Sequence, residues 1–173
     1  MPTPEAKARE NIDGQLTACG WMVQDRAAMN LYAGQGIAVR EFPIQDKYAD
    51  YLLFVDRKAV GVIEAKKEGF PLTISEGQAA GYSASLPQSI PHVELPLPFV
   101  YESTGIETFF RDNRDPHPRS RKVFSFHRPE TLGAWAVNPI TLRTNLASMP
   151  TEHPLVSGNL WSAQEEAILK LEK

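Results

Sequence analysis

The chain of 173 residues contains a single cysteine, Cys19. An internal disulfide and a zinc site built from several thiolates are therefore excluded. Cys19 itself reads as a small apolar residue packed near a helix end, since a nucleophilic thiol needs a poised base beside it. Long hydrophobic runs are absent too. No apolar stretch reaches membrane length, and residues 1–30 carry scattered charges without a signal-peptide apolar core, so the expected compartment is the cytoplasm, with no membrane partner. Neither sign of charge dominates, the net value being −3. No global basic field advertises nucleic acid, and any DNA contact has to come from a local patch or from partner chains. A Gly-x-Ser-x-Gly nucleophile elbow is missing. His92, His117, His127 and His153 lie beside proline or in expected loops, without close metal-ligand spacing. There is no internal repeat and no glycine-rich phosphate loop.

What remains is a chain long enough for one domain with a proper core, with room for a stub of something further. Thr3-Pro4-Glu5 supplies an N-cap, an N1 proline and an acidic first turn, and Ile12, Leu16 and Cys19 then recur on one helical stripe until Gly20 stops it. Strands are expected at Ile37–Phe42, Asp50–Val55 and Val60–Lys66. The last two are apolar on both faces except at their outer ends, which suits central strands of a sheet covered on each side. The short polar turn around Asp56-Arg57-Lys58 makes them an antiparallel hairpin. Helical spacing returns over Thr73–Ser85. A strand near Phe99–Ser103, a hairpin partner at Glu107–Arg111, a polar and exposed loop over Asp112–Lys122, a short strand at Val123–Phe126 and a helix at Pro129–Val137 follow. Residues 138–160, rich in Pro, Asn and Ser, read as a linker, and Ser162–Lys173 as a helix. The order α-β-β-β-α-β implies an α/β fold, a mixed sheet flanked by helices.

The residues that can carry chemistry sit on the central hairpin. Phosphodiester cleavage needs carboxylates to hold a hard cation and a positive group near the charge that develops on the phosphate. Asp50 opens one strand; Glu64 and Lys66, two apart and so on one face, close the other. Folding the hairpin brings all three to one end. Same-face placement of Asp50 with Glu64 requires an odd loop, such as Asp56-Arg57-Lys58, or a bulge. A two-residue loop at Arg57-Lys58 would set Asp50 opposite Ala65, on the wrong face. The same spacing also suits a surface ion-pair cluster at a strand end. Arg111, Arg114, Arg119, Arg121 and Lys122 could grip phosphates, though a solvated loop is the better explanation.

The segment Asp50…Glu64-Ala65-Lys66 resembles the PD-(D/E)xK nuclease signature, with Ala49-Asp50 in place of Pro-Asp. Tyr48–Leu53 together with Val60–Lys67 resembles more specifically the nuclease domain of type I restriction enzyme R subunits. Ile12-Asp13…Leu16, Gly20-Trp21 and Phe126-His127-Arg128-Pro129 extend the likeness over roughly residues 5–137. The resemblance implies a restriction-endonuclease-like fold and a Mg²⁺-dependent endonuclease. Asp50 and Glu64 would be metal ligands, the Ala65 carbonyl a further one, and Lys66 would position or activate the attacking water. Gln78 and Tyr82 match a Gln-x-x-x-Tyr motif of this group, at i and i+4 on a helix, where an amphipathic helix with Tyr82 half-buried is the plainer alternative. Some members add an acid from the first helix, for which Glu10 is the candidate. Leu160-Trp161…Gln164–Ile168 resembles the lead-in to a helicase-like motor. This implies a nuclease domain over 1–137, a linker over 138–160 and the start of a motor at 161–173, with ATP binding in the part that would follow. The implied partners are double-stranded DNA and the modification (M) and specificity (S) subunits. Two rivals stand beside this reading, a non-catalytic docking module of the same fold and a repair nuclease of the same superfamily.

Overall fold

The structure, a computed structural model, describes residues 4–44, 47–72, 86–156 and 158–171. Helix α1 (Pro4–Ala18) precedes strand β1 (Met22–Asp25), a 3₁₀ turn at Arg26–Ala28, and strands β2 (Gly36–Ile44), β3 (Lys47–Val55) and β4 (Lys58–Ala65). Strands β5 (Phe99–Ser103), β6 (Thr108–Asp112) and β7 (Arg121–Val123) follow, then helices α2 (Pro129–Val137), α3 (Leu142–Glu152) and α4 (Ser162–Leu171). The expected helix over Thr73–Ser85, with Gln78 and Tyr82, lies outside the described residues.

The strands form one mixed sheet in chain order, β1 to β7. The β1–β2 and β4–β5 pairs are parallel and the other four antiparallel. Strands β3 and β4 hold the central places anticipated from their two apolar faces. Tyr51, Leu53 and Val55 join Ile12 and Leu16 of α1 and Leu132 of α2 in one core cluster, while Leu52, Phe54 and Val62 join Ile37, Val39, Leu97 and Val100 in a second. A buried sheet face on each side restricts slippage, because a shift of one residue would drive Leu52 and Phe54 onto the wrong side.

Register is where the hairpin differs from its simplest form. The loop has two residues, Asp56 and Arg57, both with left-handed backbones (φ 47° and 69°), so Val55 pairs Lys58 through a tight turn of the kind favoured by strand twist. Continued unbroken, that pairing would set Asp50 opposite Ile63. A bulge between Leu53 and Phe54 shifts it, and beyond the bulge Tyr51 pairs Ile63 and Leu52 pairs Val62. One residue further, Asp50 falls across from Glu64. The loop is even, and the bulge supplies the missing residue.

Four further differences have local causes. Strand β1 was not anticipated; four residues of mixed exposure at a sheet edge give little periodic signal. The Asp112–Lys122 segment is not simply exposed, for Asp112 and Asp115 are buried. Arg114 donates to both Asp112 carboxylate oxygens (3.0 and 2.7 Å) and to the carbonyls of Trp135 and Asn138, while Arg121 and Arg143 hold Asp115. Residues 138–160 contain α3, which Thr141 caps by accepting from the Thr144 backbone N–H at 3.1 Å. Pro150 sits in its last turns, where it reads as a breaker from sequence. The short strand expected at Val123–Phe126 lies instead at Arg121–Val123, and Phe126 leaves the sheet to enter the core.

Gly61 marks the tightest place in the centre of the sheet. A Cβ there would meet the Phe99 carbonyl oxygen at 2.3 Å and the Phe99 Cβ at 2.9 Å. Gly61→Ala is expected to cost about 1–3 kcal/mol, the range of overpacked cores, and so to lower the melting temperature by several degrees. Gly14→Ala, in α1 with nothing within 4 Å, should instead stabilise by up to about 1 kcal/mol through helix propensity. Equal melting shifts for the two variants would refute this account of the β4–β5 contact.

Candidate active site

At the end of the hairpin the backbone of β2 departs from ideal form at Glu41, whose φ is 50°. Arg40 pairs Tyr51 and Phe42 pairs Ala49, with Glu41 and Asp50 left outside the ladder register. Such a local irregularity re-aims side chains, and here Glu41 and Asp50 both reach Arg9 of α1. Asp50 Oδ1 accepts from Arg9 Nη2, and Asp50 Oδ2 accepts from the Ala65 backbone N–H at 2.9 Å. The second bond ties the start of β3 directly to the end of β4.

Glu64 is 7% exposed, the next-to-last residue of β4. Its Oε1 accepts from Lys66 Nζ at 3.0 Å. Its Oε2 is buried without a hydrogen-bond partner among the described residues. Burial raises the Glu64 carboxyl above its ordinary pKa, the Lys66 hydrogen bond opposes this, and the charges of Asp50 and Glu102 add to the rise. Asp50, Glu64 and Lys66 thus come together as one electrostatic unit, not as isolated surface charges.

Two residues of this unit escaped sequence reasoning. Glu102, 3% exposed, lies directly across from Glu64 in the parallel β4–β5 pair and on the same face. A signal existed, an acid directly after the apolar run Phe99-Val100-Tyr101 on the same strand. Arg9 is the other. The first helix contributes a cation to the site where an acid, Glu10, was anticipated; Glu10 is exposed, and no ion pair or side-chain hydrogen bond involves it among the described residues. Arg9 lies one place beyond the buried stripe of Ala8, Ile12 and Leu16, a position that usually faces solvent.

A second network fixes the helix that carries Arg9. Arg40 makes a fork onto Asp13 (2.8 to 3.2 Å), and the Tyr51 hydroxyl donates to Asp13 at 2.8 Å. Burial, followed by the Asp13 carboxylate, pushes the Tyr51 pKa strongly upward, so the hydroxyl remains a donor at any working pH. Gln15 Nε2 donates to the Gly105 carbonyl at 2.7 Å, joining α1 to the turn after β5.

His127 plays a packing part. Its ring lies against Phe110 and Trp135, its Nδ1 is 2.6 Å from the Tyr101 hydroxyl, and burial lowers its pKa. Among the described residues no group of three or more His, Cys, Asp or Glu is arranged as a metal centre. No described helix is long and apolar enough to cross a membrane.

Comparison with known proteins decides the family. A family model described as the type I restriction enzyme EcoKI endonuclease subunit second domain matches residues 27–135, which spans β2 to β7 and most of α2. The chain belongs to this family. It is similar to the type I restriction enzyme EcoKI endonuclease subunit of Escherichia coli (strain K12), at 24% identity over 178 residues, covering 74% of this chain and 15% of that protein. The chain thus spans a small part of the length of its relative. No solved structure matches it.

The raised Glu64 pKa has a thermodynamic consequence with a definite sign. A carboxyl that holds its proton more tightly folded than unfolded gives stability that is fully present below the unfolded value and is lost as pH rises through the folded one. Glu64→Gln, which stays neutral, should therefore melt with the parent near pH 4 and above it at pH 7.5. A gap that is independent of pH, or of opposite sign, would show that Glu64 ionises without hindrance.

Proposed function

We propose that this chain provides the DNA-cutting site of a type I restriction enzyme's endonuclease subunit, a Mg²⁺-dependent endonuclease acting at Asp50, Glu64 and Lys66. The observation that carries the reading is the buried Oε2 of Glu64, without a hydrogen-bond partner among the described residues and beside the Asp50 carboxylate, with an ammonium group at 3.0 Å on the other Glu64 oxygen. A buried carboxylate oxygen with nothing donated to it is costly unless a cation takes up its charge. The donor set is also of the right kind, hard oxygens in small number, as Mg²⁺ prefers when it retains waters.

Asp50, Glu64 and the Ala65 carbonyl would hold the ion. When bound, it would supply a nucleophilic water and offset charge on the phosphate. The protein's own groups do the rest. Lys66 Nζ, bonded to Glu64, adds positive charge beside the attacking water and where the pentavalent phosphate becomes more negative. The Ala65 N–H holds Asp50 Oδ2, so the two strand ends keep their spacing as charge develops. Gln78 and Tyr82, outside the described residues, are assigned here on their motif alone, as groups that orient the site or the DNA strand.

DNA would be held by its backbone, with sequence read by partner subunits, which suits a chain of net charge −3. In this reading the modification and specificity subunits deliver the duplex, and ATP is consumed by a motor elsewhere in the subunit.

The test is cleavage of supercoiled plasmid in Mg²⁺ by the reconstituted assembly carrying the parent sequence, Asp50→Asn, Glu64→Gln or Lys66→Ala. Each variant is expected to lose about 100-fold or more in rate, the scale of one lost electrostatic contact to a transition state. An assembly with Lys66→Ala that cuts at the parent rate refutes the assignment and leaves a docking module of the same fold.

A further inference from the structure

Arg9 offers more than its place on the helix requires. Helix α1 is already seated by Ile12 and Leu16, both fully buried, by the Asp13 contacts of Arg40 and Tyr51, and by the Gln15 bond to Gly105. Arg9 adds little to that seat. Its guanidinium instead spans two carboxylates, Asp50 and the exposed Glu41 (3.0 Å to the latter), while its Nε is buried without a hydrogen-bond partner among the described residues. The side chain is nonetheless 40% exposed. A guanidinium has five N–H donors in a planar fork, and these contacts occupy two of them. The face turned to solvent therefore keeps donors suited to a phosphate.

Position adds to this. Asp50 is one of the two carboxylates assigned above to a cation, and Arg9 sits on the Asp50 oxygen not taken by Ala65. A guanidinium on that oxygen draws on the same negative charge that a divalent ion would use, so Arg9 and the ion compete for it. A guanidinium released from Asp50 remains tethered beside the cleft by α1, within reach of a strand backbone drawn to the same place.

We propose that Arg9 is the phosphate-binding cation of this site and that it has two successive partners. It neutralises Asp50 while the cleft holds no divalent ion, and it turns to a DNA phosphodiester when that carboxylate is drawn elsewhere. The proposal rests on the functional reading above and assigns a residue that neither the family likeness nor the sequence motif singles out. It also accounts for the kink at Glu41: that carboxylate gives the second Nη a partner and keeps the fork at the mouth of the cleft.

Two measurements on the 173-residue chain test it without recourse to cleavage. The first is Mn²⁺ binding by calorimetry, comparing the parent with Arg9→Gln and Asp50→Asn, with thermal melting to confirm folding. Removal of the competitor should tighten Mn²⁺ binding about tenfold in Arg9→Gln, as expected when one charge-assisted hydrogen bond no longer has to be displaced. Asp50→Asn should weaken it. The second is binding of a short DNA duplex in Ca²⁺ over a range of salt. Arg9→Gln should bind more weakly, with a log–log salt slope flatter by about 0.9, the loss of one neutralised phosphate, and Arg9→Lys should keep the parent slope. Unchanged Mn²⁺ affinity in Arg9→Gln, or an unchanged salt slope, overturns the role of Arg9 while Asp50→Asn still reports on the cation site. Equal Mn²⁺ binding by the parent and Asp50→Asn instead defeats the cation reading itself, and this proposal with it.

Discussion

The pairing of β3 with β4 is the constraint on which the candidate site depends. Side chains on a strand alternate with a period of two, so the face on which Asp50 lies relative to Glu64 is settled by whether an extra residue interrupts the ladder. The turn at Asp56-Arg57 is too short to supply one, and the bulge between Leu53 and Phe54 does. Packing holds the bulge in place from both sides. Leu53 is committed to the α1 side with Tyr51 and Val55, and Phe54 to the opposite side with Leu52 and Val62. The extra residue is Val60 of β4, which falls between the Phe54–Ala59 and Leu53–Gly61 pairs and joins the α1 side; a bulge one pair nearer the turn would set Val60 opposite Phe54 and so on the other face.

Electrostatics then sets the terms at the end of the hairpin. Asp50, Glu64 and Glu102 place three carboxyl groups near one another in surroundings that exclude water from at least two of them. Arg9 and Lys66 answer part of that charge, each from a different direction, one from a helix and one from the chain leaving β4. Helix α1 is consequently an electrostatic part of the site as well as a cover for the sheet. The Asp13–Arg40–Tyr51 network explains why it can serve as both, since it fixes the helix through contacts one turn away from Arg9.

Much of this was legible in the sequence because the relevant signals are local. The two-sided apolar runs of β3 and β4 announced central strands. The two-residue spacing of Glu64 and Lys66 fixed their common face, and parity alone required an odd loop or a bulge. Where along the hairpin the extra residue falls depends on how Val60 of β4 packs with elements far away in sequence, so it could not be read from the hairpin itself. Arg9 was invisible for a similar reason. It occupies an ordinary solvent-facing helix position, and only the left-handed backbone at Glu41 and the docking of α1 convert that position into a site contact. Glu102 was more accessible, as an acid amid Phe99, Val100, Tyr101 and Ser103. Within the expected linker, the capping hydroxyl of Thr141 carried the helical signal that Pro150 obscured.

The arginines beyond β6 show why charge counted along a sequence misleads about partners. Arg111, Arg114, Arg119, Arg121 and Lys122 look like a phosphate grip, yet Arg114 is held by Asp112 and two carbonyls, Arg121 and Arg143 share the buried Asp115 at 3.3 Å each, and Lys122 reaches Glu107. A guanidinium that already satisfies a buried carboxylate cannot leave it for a phosphate without stranding that charge, which costs far more than a surface contact returns. Arg114 ties the far edge of the sheet to the end of α2, and Asp115 ties it to Arg143 of α3. Arg9 differs from them in one respect that matters. Asp50, the carboxylate it holds, lies beside Glu64, whose Oε2 has no hydrogen-bond partner among the described residues, and the proposed exchange relies on this second acid.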